Sequence, residues 1–305
     1  MAKRSKGTVG VVGLGNMGGA FARHLAAAGW RVLGFDIDAA RKRAAKRAGV
    51  EIAPDVATLA AAAPVIILSL PSPQALGATI AAITRDRLPA RIVVEAGTFA
   101  LEDKTRAESA LRKAGHVMLD CPVSGTGAQA AVKDIVIYAS GDAKAITKTI
   151  RMFSDFARAA YNVGEFGNGS RMKYVANLLV TIHNVAAAEA MVLGIKSGLD
   201  PQKVYDLIRA GVGTSRVFEV RGPMMVRDRY DKASMSINLY RKDISVIDDY
   251  AAKLGVPTPL FSASIPVYSE ALSSGYGEQE TAAVCRVLQT KAGVKRIQSS
   301  DLALA

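Results

Sequence analysis

Residues that build disulfide frameworks and metal centres are scarce in this chain of 305 residues. It has two cysteines, Cys121 and Cys285, and three histidines that lie far apart along the chain. Two cysteines are too few for a disulfide framework or a structural zinc site. We therefore expect no metal in the protein, and the low cysteine content suits a reducing cytoplasm.

Long uninterrupted apolar runs are also missing. The longest apolar stretch, Val56 to Leu70, contains Pro64 and is too short to cross a membrane as a helix. The net charge is +12, with basic residues clustered at Lys3 to Lys6 and at Arg41 to Arg47. No zinc finger and no alternation of aromatic and basic residues accompanies these clusters. We expect solvated basic surfaces, with neither a membrane nor a specific nucleic acid as a partner.

The most regular part of the chain runs from Gly167 to Ser197. After Gly169 it has no proline, and no glycine before Gly194, and it is rich in alanine, leucine, methionine and lysine, which favour helix. We predict a single helix of roughly 28 residues that is apolar on most sides. A helix with this character is buried in a protein core or in a membrane.

Two polar residues interrupt the apolar surface of this helix. Lys173 and Asn177 are four residues apart, so they lie on one face and one turn apart. A lysine on a buried helix is costly unless its ammonium group reaches a cleft or a partner. We expect Lys173 to be the only lysine on a buried helix. The helix alone leaves open whether its ammonium group reaches the surface or lies in a functional cleft.

A second strong pattern lies near the start of the chain. Thr8 to Val12 predicts a strand, an alanine-rich helix follows to Ala28, and Arg31 to Phe35 predicts a second strand that ends at Asp36. The turn before the helix has the glycine spacing G-x-G-x-x-G, which is typical of a βαβ unit that binds the pyrophosphate of a dinucleotide. We predict that this turn binds the cofactor through Gly13, Leu14, Gly15, Asn16, Met17 and Gly18.

Asp36 bears on the identity of that dinucleotide. A carboxylate at the end of the second strand accepts hydrogen bonds from ribose hydroxyls and repels a 2′-phosphate, so we expect NAD rather than NADP. Arg41, Lys42 and Arg43 follow closely and could bind a 2′-phosphate, which leaves NADP open. Their position is more typical of the exposed face of the next helix.

Strands and helices continue to alternate as far as Val163. Further strands are predicted at Val65–Leu70, Arg91–Glu95, His116–Leu119, Ile135–Ser140 and Ala160–Val163. The loop Pro71-Ser72-Pro73 follows one of these strands and Thr98 follows another, where ligands bind in open parallel sheets. After Gly164 the sequence predicts helices alone. We predict an α/β fold, with a Rossmann-type doubly wound parallel sheet in residues 1–164 and an all-helical domain in residues 165–305 that the long helix opens.

Four segments, in this order, resemble the β-hydroxyacid dehydrogenases, which include 3-hydroxyisobutyrate dehydrogenase and, more distantly, 6-phosphogluconate dehydrogenase. The segments are GLGNMGGAFARHL from Gly13, DCPVSGTGAQ from Asp120, GNGSRMKYVAN from Gly167, and the pair Lys242-Asp243. They are similar to the family's nucleotide fingerprint, its substrate-binding segment, its catalytic segment and a pair that closes over the cofactor. The chain departs from the family pattern at Phe21, His24, Cys121 and Thr126.

The resemblance implies a role for each matching residue. Lys173 would accept and donate the substrate proton, with its pKa lowered by burial, and Asn177 would position the substrate oxygen. Ser124 and the backbone N–H groups of Gly125 and Thr126 would bind the substrate carboxylate. Contacts to the cofactor would come from Leu70, Pro71, Thr98 and Lys242. The resemblance also implies a homodimer or a homotetramer.

These expectations combine into an NAD-dependent oxidoreductase that interconverts a small 3-hydroxy acid and its semialdehyde or ketone. A dehydrogenase of a longer sugar acid such as threonate is the nearest alternative. Two others are a non-catalytic dinucleotide-binding protein and an imine reductase on the same fold. Lys173 counts against both of these, because neither function needs a lysine at that position.

Overall fold

A parallel sheet of six strands organises the first part of the chain in this computed structural model, which describes residues 5–294. In spatial order the strands are β3 (Glu51–Ile52), β2 (Arg31–Phe35), β1 (Thr8–Val12), β4 (Val65–Leu68), β5 (Ile92–Glu95) and β6 (Val117–Asp120). Their short runs of valine, isoleucine and leucine suit strands that are buried on both faces. The strand order changes direction between β1 and β4, which is where open parallel sheets bind ligands.

Helices cover both faces of this sheet. They are α1 (Asn16–Ala27), α2 (Ala39–Arg47), α3 (Val56–Ala62), α4 (Pro73–Thr84), α5 (Leu101–Lys113), α6 (Gly127–Ala131) and α7 (Ala143–Phe153). Side chains alternate along β1, so Val9 and Val11 pack into one apolar core with α1, while Val12 packs into another with α3 and α4. The predicted doubly wound parallel sheet is confirmed.

A second, smaller sheet follows β6. It consists of β7 (Val123–Ser124), β8 (Val136–Ala139) and β9 (Ala159–Asn162), with β8 in the middle, antiparallel to β7 and parallel to β9. Asp120 and Ser140 exchange two backbone hydrogen bonds of 3.0 and 2.9 Å, which join this sheet to the end of β6. The sequence predicted β8 and β9 but not β7, because two residues are too few for a periodic pattern.

The expectation that Pro71-Ser72-Pro73 forms only a loop is wrong in part, because Pro73 is the first residue of α4. Proline is tolerated in the first turn of a helix, where its missing N–H has no helical partner. The side chain of Ser72 caps this helix by accepting from the N–H of Ala75 at 3.2 Å. The sequence did not predict α3, α6 and β3, which are short, nor the 12-residue helix α4.

Beyond β9 the described residues form helices and no further strand. The helices are α8 (Asn168–Lys196), α9 (Pro201–Ala210), α10 (Arg216–Arg227), α11 (Ile237–Leu254), α12 (Pro259–Ser273) and α13 (Val284–Lys291), with a 3₁₀ turn at Thr281–Ala283. The chain divides into units Met1–Tyr174 and Val175–Ala305, so the division lies inside α8 rather than at Gly164. The functional boundary between the domains stays a prediction. Residues 1–4 and 295–305 of the predicted domains, with Lys3 and Arg4 of the basic cluster, lie outside the described residues.

The helix α10 contains Pro223 in its interior and continues beyond it to Arg227. A proline inside a helix leaves the carbonyl four residues earlier without its helical donor. That carbonyl belongs to Glu219, and the hydroxyl of Tyr205 donates to it at 3.0 Å. A donor from the neighbouring helix α9 therefore replaces the hydrogen bond that Pro223 cannot make.

The 29-residue helix α8 is long and apolar enough to cross a membrane, and no other helix in residues 5–294 is. Thr181 and Asn184, in the middle of this helix, are nevertheless polar, buried and bonded within the protein. Thr181 donates to the carbonyl of Asn177 at 2.9 Å, and Asn184 donates to the hydroxyl of Tyr268 and the carbonyl of Thr281 at 2.8 and 2.9 Å. These bonds are those of a helix in a protein core.

Two glycines provide a test of packing in the first unit. A Cβ on Gly18 would lie 1.9 Å from the carbonyl oxygen of Gly13, whereas Gly77 lies on the exposed face of α4 with nothing within 4 Å. We expect Gly18→Ala to lower the free energy of unfolding by about 1–3 kcal/mol. Gly77→Ala should raise it by about 0.5–1 kcal/mol, because alanine favours helix.

Urea unfolding of the cofactor-free protein measures both changes. Trp30 is the only tryptophan and lies in the same unit, where its indole N–H donates to Asp155 at 2.8 Å, so its fluorescence reports on this unit. An unchanged midpoint for Gly18→Ala would contradict the close contact.

Candidate active site

The predicted cofactor and substrate segments follow the carboxyl ends of four strands. The glycine turn follows β1, Leu70 and Pro71 follow β4, Thr98 follows β5, and the segment Ser124–Thr126 lies beyond β6. The strands β1, β4, β5 and β6 are neighbours in that order. Because parallel strands end at the same edge, the sheet brings these four segments to one edge of the first unit.

The glycine turn has the shape that a pyrophosphate requires. Gly13 has a φ of +88°, and a Cβ there would lie 2.2 Å from the carbonyl oxygen of Ser69. A Cβ on Gly15 would meet nothing closer than the guanidinium of Arg41, at 3.6 Å. No side chain caps the N-terminus of α1. An open glycine before an uncapped helix N-terminus fits the phosphates of a dinucleotide.

Asp36 is buried at the end of β2, where its carboxylate accepts two backbone hydrogen bonds. The N–H of Leu14 donates to Oδ2 at 2.7 Å, and the N–H of Asp38 donates to Oδ1 at 2.8 Å. These bonds fix the carboxylate beside the glycine turn. Arg41 is exposed on α2 as expected, but its guanidinium also reaches to 3.7 Å from Asp36 Oδ2. A cation therefore lies beside the carboxylate that was predicted to repel a 2′-phosphate.

The predicted substrate-binding segment lies against the start of α1. A Cβ on Gly127 would be 2.8 Å from the Cβ of Asn16, the first residue of that helix. Gly125 has a φ of +135°, and a Cβ there would lie 2.7 Å from the side chain of Ile135, so a side chain does not fit. The N–H of Thr126 donates to Gln129 Oε1 at 3.0 Å. This N–H was predicted to bind the substrate, but it takes part in a capping box between Thr126 and Gln129 at the start of α6.

Lys173 lies near the start of α8, and the first turn of this helix is held by the end of β6. A Cβ on Gly169 would lie 2.6 Å from the carbonyl oxygens of Asp120 and Tyr138, so the helix backbone rests directly on the strand ends. The N–H of Ser170 donates to Asp120 Oδ2 at 2.7 Å. Lys173 follows three residues later and is 7% exposed, so it is a buried lysine and does not extend along the surface.

Asn177 is held by Asp243 within the second unit. Its side-chain nitrogen donates to Asp243 Oδ2 at 2.9 Å, and the hydroxyl of Tyr240 donates to its carbonyl at 3.0 Å. Lys242 lies next to this pair, with its Nζ 3.3 Å from Asp243 Oδ1. The family resemblance includes the pair Lys242-Asp243 but implied a role for the lysine alone. The structure shows that the aspartate orients the amide of Asn177.

The expectation that Lys173 is the only lysine on a buried helix is wrong. Lys104 on α5 is wholly buried, with ion pairs to Glu95 and Asp120. Little in the sequence indicates this burial, because α5 has the charges of a solvated helix and both carboxylates lie on strands elsewhere in the chain. Residues 5–294 contain no group of three or more histidine, cysteine, aspartate or glutamate side chains that could hold a metal ion.

Two family models match most of the chain. Residues 8–164 match the NAD binding domain of 6-phosphogluconate dehydrogenase. Residues 167–288 match the model described as the NAD-binding region of NADP-dependent 3-hydroxyisobutyrate dehydrogenase. The first match covers the six-stranded sheet together with the smaller sheet, and the second covers α8 to α12 and the first part of α13.

Individual relatives align along nearly their whole length. L-threonate dehydrogenase from Cupriavidus necator is 32% identical over 286 residues, which is 92% of this chain and 95% of the relative. NAD-dependent L-serine dehydrogenase from Pseudomonas aeruginosa is 27% identical over 296 residues, covering 93% of this chain and 99% of the relative. The crystal structure of 3-hydroxyisobutyrate dehydrogenase from Salmonella typhimurium superposes with a TM-score of 0.84 at 28% identity, covering 92% of this chain and 99% of that one.

Proposed function

Because the chain belongs to the β-hydroxyacid dehydrogenase family, as the resemblance of its four motifs predicted, we propose that it oxidises a small 3-hydroxy acid with NAD. The product is the matching semialdehyde or ketone, and the reaction is reversible. The observation that carries this proposal is the buried Lys173 at the start of α8, one turn before the buried Asn177.

Alcohol oxidation needs a hydride acceptor, a proton acceptor and groups that position the substrate, and each is assigned to the cofactor or to residues of the site. The bound nicotinamide accepts the hydride from the carbinol carbon. Lys173 accepts the hydroxyl proton as the carbonyl forms, and returns it in the reverse direction. Asn177, whose amide is fixed by Asp243, positions the substrate oxygen. The hydroxyls of Ser124 and Thr126 and the backbone of Gly125 bind the substrate carboxylate.

A four-carbon sugar acid is the second candidate substrate. The relative from Cupriavidus necator is an L-threonate dehydrogenase, and the one from Pseudomonas aeruginosa acts on L-serine. Both compounds are carboxylic acids with a hydroxyl on the third carbon, so the same lysine and the same carboxylate site serve either. A panel of L-threonate, L-serine and 3-hydroxyisobutyrate, followed by nicotinamide absorbance, ranks them. The imine-reductase and non-catalytic alternatives need no lysine at position 173 and are not proposed.

We place the enzyme in the cytoplasm, where a reducing environment suits a chain with two buried cysteines and no disulfide in its described residues. Its partners are the small hydroxy acid and the nicotinamide cofactor.

Replacement of Lys173 tests the proton-transfer role. Lys173→Ala should fold and bind NAD, because the glycine turn and Asp36 are unchanged. Its kcat should fall by roughly 10²–10⁴-fold, the usual share of general acid–base catalysis. Lys196→Ala is the matched control, since Lys196 is an exposed lysine in the last turn of the same helix. Steady-state kinetics with a cofactor titration measures both, and near-normal turnover of Lys173→Ala would refute the role.

Cofactor preference depends on Asp36 and its neighbour Arg41. The wild-type enzyme should have a higher kcat/KM with NAD than with NADP, because the carboxylate of Asp36 repels a 2′-phosphate. Asp36→Ala should reduce this ratio, since it releases the guanidinium of Arg41 to bind that phosphate. Using the ratio within one variant cancels any loss of folded enzyme.

A second substitution separates the loss of repulsion by Asp36 from the binding of the 2′-phosphate by Arg41. Adding Arg41→Ala to Asp36→Ala should lower kcat/KM for NADP, while adding Arg43→Ala, an exposed arginine on the same helix, should not. A wild-type preference for NADP would contradict the role given to Asp36.

Assembly into a homodimer or homotetramer is proposed from the distribution of exposed apolar side chains. Between residues 175 and 294 the large ones that are exposed are Val175, Leu179, Leu193, Leu199, Leu207, Val212, Leu239, Leu254, Val256 and Leu260. Contacts between subunits would bury them. Light scattering at micromolar concentration should give twice or four times the 32.1 kDa chain mass, and a monomer alone would count against assembly.

A further inference from the structure

The ammonium group of Lys104 is surrounded by three oxygen atoms in the interior of the first unit. Its Nζ lies 2.7 Å from the carbonyl oxygen of Gly97, 2.6 Å from Glu95 Oε2 and 2.7 Å from Asp120 Oδ1. The side chains of Lys104 and of both acids are 0% exposed. Two of these contacts are hydrogen bonds, to Gly97 and Asp120, and the contact with Glu95 is an ion pair. The oxygens come from the end of β5, the loop after it and the end of β6.

Asp120 also binds the first turn of α8. Its Oδ1 accepts from the hydroxyl of Ser170 at 2.9 Å as well as from Lys104, and its Oδ2 accepts from the N–H of Ser170 at 2.7 Å. A carboxylate that binds the free N–H groups of a first turn caps the helix. Ser170 and Lys173 are three residues apart and lie on the same face of α8. The position of Asp120 therefore sets the position of Lys173.

The same cluster holds the loop that contains Thr98. The N–H of Gly97 donates to Glu95 Oε1 at 2.7 Å while its carbonyl accepts from Lys104, so both sides of this residue are fixed. Phe99, on the other side of Thr98, accepts at its carbonyl from the hydroxyl of Tyr174 at 2.5 Å. Tyr174 is the neighbour of Lys173. Two sets of contacts therefore connect the neighbours of Thr98 with those of Lys173. One passes through Lys104 and Asp120, and the other is the hydrogen bond from Tyr174 to Phe99.

Lys104 cannot itself exchange protons with a substrate near neutral pH. Burial alone lowers the pKa of this lysine, but the attraction of Asp120 and Glu95 outweighs it and raises the pKa above its usual value. The ammonium group is also out of reach of solvent. Lys104 can therefore affect activity only through the groups that it holds in place, which are the Thr98 loop and, through Asp120, the first turn of α8.

We propose that Lys104 is a positioning residue of the active site, which holds the Thr98 loop and the first turn of α8 in fixed relation so that Lys173 meets the substrate hydroxyl. This inference rests on the proposed function of Lys173. It accounts for a buried charged cluster at the sheet edge where the cofactor and substrate segments meet. Buried ion clusters contribute little to stability, because desolvation offsets their attraction.

The test compares Lys104→Met with Lys113→Met, which changes an exposed lysine on the same helix. Enzyme concentrations are normalised by the number of NAD-binding sites, which removes the effect of unfolded protein. Lys104→Met should lower kcat per binding site by roughly 10–100-fold, the effect of a misplacement of about 1 Å. Its dissociation constant for NAD should change by less than about threefold, because the glycine turn is not part of the cluster. Lys113→Met should match the wild type.

Two readouts separate positioning from a general loss of structure. With substrate deuterated at the carbinol carbon, the isotope effect on kcat should rise in Lys104→Met, because hydride transfer becomes rate-limiting. Hydrogen exchange of the cofactor-free protein should become faster in the peptides that span Gly97–Phe99 and Asn168–Tyr174. Partial unfolding alone would leave kcat per binding site and the isotope effect unchanged, and that result would overturn the proposal.

A milder variant keeps the proposal testable if Lys104→Met does not fold. Ser170→Ala removes the hydroxyl bond to Asp120 Oδ1 and keeps the backbone bond to Oδ2. It should lower kcat per binding site by about threefold or more with a raised isotope effect, and wild-type values would refute the positioning role. If Lys173→Ala retains normal turnover, the proposed function fails. If Lys173→Ala is inactive while Lys104→Met is normal, the positioning role alone fails.

Discussion

The contact between the end of β6 and the first turn of α8 is the interaction on which the arrangement of the first unit depends. Gly169 brings the helix backbone so close to the carbonyls of Asp120 and Tyr138 that no side chain fits between them. The carboxylate of Asp120 then caps the helix through Ser170. A helix whose first turn is fixed in this way carries its next residues to a defined place at the sheet edge, which is where an active-site lysine must be.

Two buried lysines in the same unit have contrasting surroundings. Lys104 has three oxygen acceptors, two of them charged, which hold it in the protonated state. Lys173 lies on a mostly apolar helix, with its amide neighbour Asn177 one turn away and the acid Asp243 bonded to that amide. A proton can be exchanged only by a group whose charged and neutral forms are close in free energy. Lys104 is therefore held as a structural cation, while proton transfer is the role proposed above for Lys173.

The cofactor turn and the substrate segment show how much of the site could be predicted from sequence. The spacing of Gly13, Gly15 and Gly18 predicts the turn because glycine allows close approach, and the structure has close backbone contacts at Gly13 and Gly18 and open space at Gly15. The dipeptide Lys242-Asp243 resembles a pair that closes over the cofactor in the family, and that role stays a prediction. It did not indicate that Asp243 bonds to Asn177, because the two residues lie 66 positions apart.

The sequence by itself determined the alternation of strands and helices, the βαβ unit with its terminal acid, the long apolar helix and the family. Each of these depends on local spacing, which sets which side chains share a face or a turn. The tertiary structure alone decided the order of strands that brings four loops to one edge, the separate sheet of β7, β8 and β9, and the partners of Lys104. A buried charge is stable only beside acceptors that the fold brings from distant positions, so its environment cannot be inferred from its neighbours in the chain.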